Sequence, residues 1–385
     1  MKRSVSALHS TYIIDGTQMD YTPAQMLEDC MPAAKRSGSV QNEAFDSIVD
    51  EIVDPVPRKS TYNAACIPDY IDRIRQIRGR VRPEANTFPK SYARRKIAEA
   101  LISTLWKKGH FTLGDLGVDA SWKWDCAPLG NMAAFYFSAE AAGKYLFDLD
   151  LRLDSYTFEK CQGESEAKFS VHAETRKEEE EENEYDFFSE QEDREIRYCW
   201  LSDEAKCGDI LIPDASSWLI YIPFDTCEYR LGNSLFEKAA GISGDSAPEI
   251  QDPDYFMDCF EVVRELVEDG VITAGVTVGE GGLATAAAAI AGDSGIRIDI
   301  SGIERAAGET DTIRILFSEV PGVLIQINDE DYDYIDAQLL LQDIAYFPLG
   351  HPSGKPGFSV IHGNRPGVSD ILASLIQGHY SEGED

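Results

Sequence analysis

The sequence has few positive charges. Its 385 residues include 35 Lys and Arg against 68 Asp and Glu, which gives a formal net charge of −33. An acidic surface repels phosphate backbones, so the composition argues against nucleic acid as the main partner. No apolar run approaches the roughly 20 residues of a membrane-spanning helix, because the longest, at residues 283–291, is too short.

The sequence also lacks the marks of an exported or zinc-binding protein. Its eight cysteines include no C-x-x-C pair, which argues against a zinc site and a small disulfide scaffold. The N-terminal residues MKRSVSALHSTYIIDG have no continuous apolar segment of the signal-peptide type. These absences predict a cytoplasmic protein with free thiols. Hydrophobic residues make up 43% of the chain, enough to build the cores of two or three domains.

Two N-terminal segments look weakly structured. Residues 1–60 are rich in Ser, Thr, Asp and Pro and predict a loosely ordered extension, with a short amphipathic helix over residues 42–53. Between Glu178 and Glu195, eleven acidic residues stand against one basic residue, Arg194. Such a run repels itself and buries little surface, so residues 174–195 are expected to form a solvated loop.

Residues 71–108 are basic in an otherwise acidic chain. Two interpretations stay open: a surface that binds phosphate, or a helix whose charges pair with acidic neighbours elsewhere. A helix over residues 93–106 is indicated by the spacing of Ile97, Leu101 and Leu105.

From residue 208 onward, strand and helix patterns alternate. Strands are predicted at residues 210–213, 218–223, 271–278, 296–300, 322–327 and 358–361. Helices are predicted at 254–269, from Leu283, at 332–343 and at 368–377. This alternation predicts the α/β (α+β) class, with mixed sheets flanked by helices.

The sharpest local feature is a strand, a glycine turn and an alanine-rich helix at residues 271–291. A helix start leaves backbone N–H groups unpaired at a positive dipole end. Glycines there let an anion approach closely, so Gly281 and Gly282 indicate a phosphate site. The alternative is a turn that only connects a strand to a helix. If the phosphate interpretation is right, Gly282→Asp should abolish phosphate binding and leave the fold intact.

Three motifs between residues 231 and 319 occur in the order of one known family. They are Leu231-Gly232-Asn233-Ser234, the stretch Val276–Leu283 (VTVGEGGL), and Leu316-Phe317-Ser318-Glu319. They resemble the Leu-Gly-Gly-Ser/Thr, His-Asp-x-Ser-Asp-Gly-Gly-Leu and Leu-Phe-x-Glu elements of the phosphoribosylformylglycinamidine synthase family. That family is a purine-pathway amidotransferase group, and the wider superfamily includes aminoimidazole ribonucleotide synthase.

The resemblance implies a two-domain synthase-like architecture. An N-terminal domain at 61–207 would bind ATP and form a homodimer through its sheet. A C-terminal domain would follow at 208–363, and a helix and tail at 364–385. The implied partners are a phosphorylated small molecule or nucleotide and a glutaminase that supplies ammonia.

The resemblance also implies the residues of a site. The phosphate or substrate would be bound by Thr277, Glu280, Gly281, Gly282, Gly232, Ser234, Ser318 and Glu319. ATP would act with Mg²⁺. Asp115 and Asp119 are the candidate magnesium ligands, but they come from a turn-rich stretch that does not match a family motif, and the alternative is that they are cap and turn residues.

The sequence departs from the family pattern where the pattern carries chemistry. The family's His and Asp are Val276 and Thr277 here, and its Ser is Gly279. Valine cannot transfer a proton or form a side-chain hydrogen bond. Two functions therefore stay open. The first is an ATP-dependent ligase, or divergent relative, that phosphorylates an amide oxygen and lets ammonia displace the phosphate to give an amidine. The second is a catalytically inactive homologue that binds a ligand or supports an assembly.

Overall fold

A computed structural model of the chain describes residues 6–33, 47–54, 62–81, 84–173, 199–353 and 357–361. The acidic run Glu178–Glu195 and the helix predicted at 368–377 lie outside the described residues. No helix in the described ranges is both long and apolar enough to cross a membrane.

The strands and helices of the N-terminal half follow one another closely. They are β1 (Thr11–Ile14), β2 (Thr17–Gln18), α1 (Pro23–Glu28), β3 (Ser47–Asp50), α2 (Ile67–Ile77), α3 (Pro89–Ile102), β4 (Lys107–His110), β5 (Leu116–Asp125), α4 (Asn131–Asp148), β6 (Arg152–Cys161), β7 (Glu166–Ala173) and β8 (Trp200–Ala205). Their strands form sheets in the orders β2-β1-β3, β6-β5-β7 and β4-β8.

The C-terminal half alternates more regularly. Its elements are β9 (Trp218–Pro223), α5 (Leu235–Ala240), α6 (Pro253–Glu268), β10 (Ile272–Val278), α7 (Gly282–Ala291), β11 (Gly295–Asp299), α8 (Ser301–Ala307), α9 (Thr312–Phe317), β12 (Gly322–Ile327), α10 (Tyr332–Leu341), β13 (Phe347–Gly350), β14 (Pro352–Ser353) and β15 (Phe358–Ile361). The sheets run β10-β12-β9-β13 and β14-β11-β15. Mixed sheets with flanking helices confirm the predicted α/β (α+β) class.

The sheet β6-β5-β7 has two unlike faces because its side chains alternate. On the inner face, the Trp122 ring meets Phe135 of α4 edge-on, with ring centroids 6.0 Å apart. The Trp122 and Trp124 side chains are buried, and their indole N–H groups donate to α4 atoms. The outer face is polar, with Asp119 and Ser155 paired across β5 and β6 and exposed Lys123 beside Glu159.

The four-stranded sheet carries the C-terminal core. Every residue of β12 is buried, as expected for a strand covered on both faces. Helix α6 begins where Asp252 accepts a hydrogen bond from the Tyr255 N–H and Pro253 occupies the first turn. Phe256 of α6 contacts Tyr145 of α4, with ring centroids 6.2 Å apart. The two halves therefore contact each other through apolar side chains.

The expectation of a loosely ordered extension at residues 1–60 is wrong for the described parts of that segment. The side chains of Tyr12 and Leu27 are 0% exposed and belong to the main core. Helix α1 packs closely on α4 at Gly143, where a Cβ would lie 2.8 Å from the Met26 carbonyl oxygen. The absence of a side chain on Gly143 lets the two backbones approach, so this segment belongs to the folded core.

Two elements differ from their predicted type. The described end of the helix predicted over 42–53 is the strand β3, which pairs in parallel with β1. The strand predicted at 210–213 is a loop whose backbone is bound by a side chain. Gln326 accepts from the Ile212 N–H at 2.8 Å and donates to its carbonyl at 2.7 Å, replacing a neighbouring strand. The strands at 218–223, 322–327 and 358–361 have the predicted bounds.

Candidate functional site

The glycine turn after β10 is set by two residues with left-handed backbone angles. Gly281, which caps α7, has φ of 85° and Gly282 has φ of 69°. Both values lie in the region that favours glycine. A Cβ on Gly282 would also lie 2.7 Å from the carbonyl oxygens of Leu316 and Ser318. Gly282 is therefore packed against the link between α9 and β12, and the expectation that Gly282→Asp leaves the fold intact is wrong.

The acceptor at the start of α7 is a carboxylate of the protein itself. One oxygen of Glu319 accepts from the Gly281 N–H at 2.9 Å and from the Leu235 N–H at 2.7 Å. The other oxygen accepts from Arg95 Nη1 at 2.6 Å. Both side chains of the pair are 1% exposed. Burial raises the pKa of Glu319, while Arg95 and the two backbone donors favour its charged form.

Helix α3 carries the cations of this region. Arg95 Nη2 also donates to the carbonyl oxygen of Asn233 at 3.0 Å, and Asn233 has a left-handed φ of 56°. One residue on, Lys96 bridges Glu99 at 2.8 Å and Glu280 at 2.6 Å. Burial lowers the pKa of Lys96, but the two carboxylates outweigh it and the net shift is upward. These contacts place the charges of α3 against the glycine turn.

The motif around Gly232 and Ser234 supports the same network from the other side. The Ser234 hydroxyl caps α5 by accepting from the Glu237 N–H at 3.3 Å and donates to the Leu231 carbonyl at 2.6 Å. Gly232 N–H donates to the Ser246 carbonyl at 2.8 Å, and a Cβ on Gly232 would collide with that backbone. The Ser318 hydroxyl accepts from the Arg230 N–H at 3.0 Å. Each of these predicted residues holds a loop in place.

Thr277 and Glu280 face a different space from Gly281 and Gly282. They line a cavity of about 380 Å³ together with Arg78, Trp106 and Asp209. The Trp106 indole N–H donates to the Thr277 hydroxyl at 2.9 Å. Gly275 lies directly beneath the Trp106 ring, where no Cβ would fit. Trp106 therefore covers this part of β10.

The candidate magnesium ligands belong to separate hydrogen-bond networks. Asp115 accepts from the N–H and the hydroxyl of Thr112, each at 2.8 Å. Asp119 accepts from the Ser155 hydroxyl and lies 3.4 Å from His172 Nδ1. Among the described residues, no group of three or more His, Cys, Asp or Glu side chains is arranged to hold a metal ion. The two aspartates do not offer Mg²⁺ a shared ligand set, so magnesium stays an expectation of the resemblance.

A larger cavity of about 550 Å³ lies at the starts of α3 and α4. Asn86, Lys90 and Arg94 supply side-chain donors, and Phe88 and Phe137 supply apolar walls. The Lys90 ammonium lies 4.5 Å from the centre of the Phe137 ring and 2.8 Å from Glu140. Sequence reasoning did not single out this cavity, because its lining comes from segments far apart in the chain.

The start of α4 beside this cavity is closed in the same way as the start of α7. The Asp50 carboxylate of β3 accepts from the N–H groups of Gly130 and Met132 at 2.8 Å and of Ala133 at 3.0 Å. A negative side chain at a helix start is stabilised by the unpaired N–H groups and the dipole. The helices α4 and α7 thus both have an internal carboxylate at their first N–H groups.

Most cations of the basic segment at 71–108 have a partner. Six of them form ion pairs, namely Arg75, Lys90, Arg95, Lys96, Lys107 and Lys108. This confirms the interpretation of charges paired with acidic neighbours for those residues. Arg73, Arg78 and Arg80 are exposed and form no ion pair with any residue that the structure describes.

Glu237 gives a pH dependence of stability that substitution can isolate. Burial raises its pKa from 4.5 to about 7. Between these values the folded protein binds more protons than the unfolded chain, so this group's contribution to stability falls as pH rises. We expect the free energy of unfolding of Glu237→Gln, relative to wild type, to rise by about 3 kcal/mol between pH 5 and 8.

Urea unfolding at four pH values would measure that difference. Glu265→Gln is the matched control, since Glu265 lies on the exposed side of α6 and its side chain is 65% exposed. A difference between Glu237→Gln and wild type that stays constant over this pH range would contradict the assignment.

Comparison with known proteins places these features in a family context. The sequence profile described as AIR synthase related protein, C-terminal domain, matches residues 229–345. The probable phosphoribosylformylglycinamidine synthase, chloroplastic/mitochondrial, of Arabidopsis thaliana is 24% identical over 282 residues, which are 70% of this chain and 18% of that protein. The Homo sapiens phosphoribosylformylglycinamidine synthase is 24% identical over 151 residues, 39% of this chain and 11% of that protein.

A solved structure supports the fold. Thermotoga maritima PurL complexed with FGAR superimposes with a TM-score of 0.54 and 11% sequence identity, over 73% of this chain and 42% of that one. At this identity the likeness concerns the fold alone. By sequence, the chain matches less than a fifth of the length of the Arabidopsis thaliana and Homo sapiens relatives.

Proposed function

We propose that this chain, whose residues 229–345 match the AIR synthase related profile, is a phosphoribosylformylglycinamidine synthase-like binding module. It binds a phosphorylated small molecule or nucleotide without forming an amidine. The observation that carries this proposal is the Glu319 carboxylate at the start of α7. An external phosphate at Gly281 would have to displace a buried carboxylate that is bound by Arg95 and two N–H groups.

The covered strand supports the same conclusion. Where the resembled motif has His and Asp, this chain has Val276 and Thr277, and the Thr277 hydroxyl is taken by Trp106. Neither side chain can act as an acid or a base near neutral pH. The positions that carry the family's chemistry therefore offer no acid or base in this protein.

The ligand site under this proposal is the 550 Å³ cavity at the starts of α3 and α4. Its volume lies within the range of small-molecule sites, and it combines apolar walls with a few polar groups. Lys90 and Arg94 supply donors for a phosphate beside the acidic lining residues Asp54 and Glu249. Phe88 and Phe137 supply surface for an apolar or aromatic part. Arg94 also donates to the Ile250 carbonyl at 2.8 Å, so its position is fixed.

Lys90→Gln tests the cavity. Loss of one charge-assisted hydrogen bond is expected to weaken nucleotide binding by about 10- to 100-fold. Thermal unfolding with ATP, ADP and inorganic phosphate measures it, since a ligand at 100 times its Kd stabilises by about 2.7 kcal/mol. Lys144→Gln is the control, because Lys144 is an exposed α4 residue outside the cavity lining. Equal binding by the two variants would remove the cavity from the proposal.

An ATP-dependent amide-to-amidine ligase is the second candidate, favoured by the size of the same cavity and by the resemblance. In that reaction, ATP with Mg²⁺ phosphorylates the amide oxygen and ammonia displaces the phosphate. ADP release that requires both FGAR and ammonia, with wild-type protein and Mg²⁺, would establish it and overturn the non-catalytic proposal. A glutaminase partner would be the expected source of ammonia in the cell.

Assembly and location remain proposals. A homodimer through the sheet β6-β5-β7 would have to cover a polar outer face that includes Asp119 and exposed Lys123. The cytoplasmic location stays a prediction, because the name of the Arabidopsis relative assigns that protein to chloroplast or mitochondrion.

A further inference from the structure

Helix α10 leaves an apolar face in solvent. Its two buried residues, Ile335 and Leu339, lie on one side of the helix. At 3.6 residues per turn, four exposed residues with apolar surface lie on the other side and form the α10 face: Tyr334, Ala337, Leu340 and Leu341. Leu340 is 62% exposed and Leu341 is 78% exposed. Adjacent large apolar side chains in solvent are typical of an interaction surface.

The α10 face lies apart from the sites described above. None of its residues lines the 550 Å³ cavity or the 380 Å³ cavity beside Thr277. The helix starts next to Trp218, at the end of the four-stranded sheet where Trp218 pairs with Ile327. The glycine turn follows Val278, which pairs with Gly322 at the other end of that sheet. The proposed function therefore does not use this face.

Carboxylates flank the α10 face on both sides. On one side, Asp333 and Asp336 belong to α10 itself. On the other side, Asp269 at the end of α6 accepts from the Tyr334 hydroxyl at 2.9 Å. Glu265 precedes Asp269 by one turn of the helix. The apolar face therefore has a negative rim.

The sequence around α10 supplies no cation to offset this rim. Residues 315–354 contain seven Asp and Glu but no Lys or Arg. Arg264 of the neighbouring helix α6 is already paired with Glu261 at 2.7 Å and with Glu268 at 2.8 Å. The negative charge beside the α10 face is thus available to positive groups of another molecule.

Aromatic rings at the start of α10 favour a cation as well. The Trp218 ring contacts those of Tyr332 and His351, with ring centroids 5.0 and 4.1 Å apart. The Trp218 indole N–H donates to Asp329 at 2.8 Å, which places a carboxylate beside the rings. Aromatic faces attract the ammonium of Lys and the guanidinium of Arg. This end of the helix is therefore suited to a positive side chain.

Charge decides among the molecules that could cover the face. A second copy of this chain has the same rim and the same net charge of −33, so it would bring like charges together. An anionic membrane surface would be repelled for the same reason. A basic amphipathic helix offers apolar side chains to the face and Lys or Arg to the rim, and helices of this type commonly bind through their apolar side.

We propose that the α10 face binds a basic amphipathic helix of a partner protein. The apolar side chains of that helix pack on Tyr334, Ala337 and Leu341. Its Lys and Arg side chains meet Asp333 and Asp336 on one side and the carboxylates at the end of α6 on the other. The ten residues of α10 form a helix about 15 Å long, enough for about three turns of the partner.

A labelled peptide tests this surface on the full chain. The probe has about 14 residues, all Leu or Lys, with the leucines at helical spacing, and a scrambled peptide is its control. Fluorescence anisotropy is expected to show at least tenfold tighter binding of the helical probe. Leu341→Ser should weaken that binding about tenfold, because an apolar contact is lost. Phe147→Ser, which changes a similarly exposed apolar residue of α4, should alter it less than twofold.

The negative rim has its own variant. The double change Asp333→Asn and Asp336→Asn is expected to weaken binding of the helical probe by about fivefold at low salt, and high salt should reduce that difference. The matched control is the double change Asp148→Asn and Asp150→Asn, since both carboxylates are exposed at the end of α4. The control should change binding less than twofold at either salt concentration.

Hydrogen exchange of the complex, read by mass spectrometry, locates the bound probe. Exchange in α10 is expected to slow at least threefold, and the unfolding midpoints of Leu341→Ser and Phe147→Ser should match that of the wild type because both residues are exposed. Protection of other elements without α10, or equal loss of binding in these two variants, would overturn the proposal. So would Leu341-dependent binding to phosphatidylserine vesicles, or a dimer that Leu341→Ser dissociates.

Discussion

Gly282→Ala is expected to leave little folded protein at 37 °C. The methyl group would meet the Leu316 and Ser318 carbonyl oxygens at 2.7 Å, and φ of 69° disfavours any side chain. The left-handed conformation alone costs about 1–2 kcal/mol in a residue other than glycine. Overlap with rigid backbone on both sides of Phe317 brings the loss to about 4 kcal/mol or more, a large part of a typical domain's stability.

Urea unfolding followed by circular dichroism measures this loss. Gly302→Ala is the matched control, because Gly302 lies in α8 and a methyl group there meets Phe347 at an ordinary 3.4 Å. Alanine is the better helix former, so this control should be neutral or slightly stabilising. A Gly282→Ala protein with the wild-type unfolding midpoint would show that the turn after β10 is not packed as described.

Breaking the Arg95–Glu319 pair from one side is the second large effect. Arg95→Met leaves a buried carboxylate without its cation, and Glu319→Gln leaves a buried guanidinium without its anion. Removal of one partner of a buried pair costs about 3–5 kcal/mol. We expect losses of this size for each single variant, and a smaller loss for the double variant than for the sum of the two.

A double-mutant cycle on the free energy of unfolding measures the coupling. Lys107 and Asp203 give the comparison pair, since their side chains are 34% and 99% exposed and their nitrogen and oxygen lie 2.9 Å apart. The coupling of that surface pair should be below about 1 kcal/mol. Similar coupling energies for the buried and the surface pair would contradict the role assigned to Glu319.

The parts of the fold that sequence predicts are those that local spacing determines. The apolar period of α6, with Asp252, Pro253 and Gly270 at its ends, needs no knowledge of the rest of the molecule. The segment at 42–53, whose described end contains β3, is harder to predict, because Ile48, Val49 and Ile52 suit a helix as well as a strand. Pairing with β1, more than thirty residues earlier in the chain, decides between them.

The candidate site shows the same limit. The glycine turn was visible in the sequence, but its acceptor was not, since Glu319 lies 38 residues from Gly281 and 224 from Arg95. Arg95 shares the buried face of α3 with Ala98 and Ile102, so a cation at an apolar position of the helix was the available signal. Glu319 was predicted to contact a ligand, whereas its partners in the structure are groups of the protein. The local sequence gives the residue types of a site, and long-range packing gives their partners.

The segment at 245–251 has a consequence for dividing this protein. Ser91 and Arg94 of α3 donate to the carbonyls of Pro248 and Ile250 at 2.6 and 2.8 Å, next to the Arg95–Glu319 pair. One helix of the N-terminal half thus completes the interior of the C-terminal half. A cut near residue 207, where the family resemblance implies a boundary, would separate Arg95 from Glu319. Each fragment would then hold a buried charge without its partner. We therefore expect the two halves to fold only as one chain. A chimera that takes its C-terminal half from a homologue would also have to take α3 from that homologue.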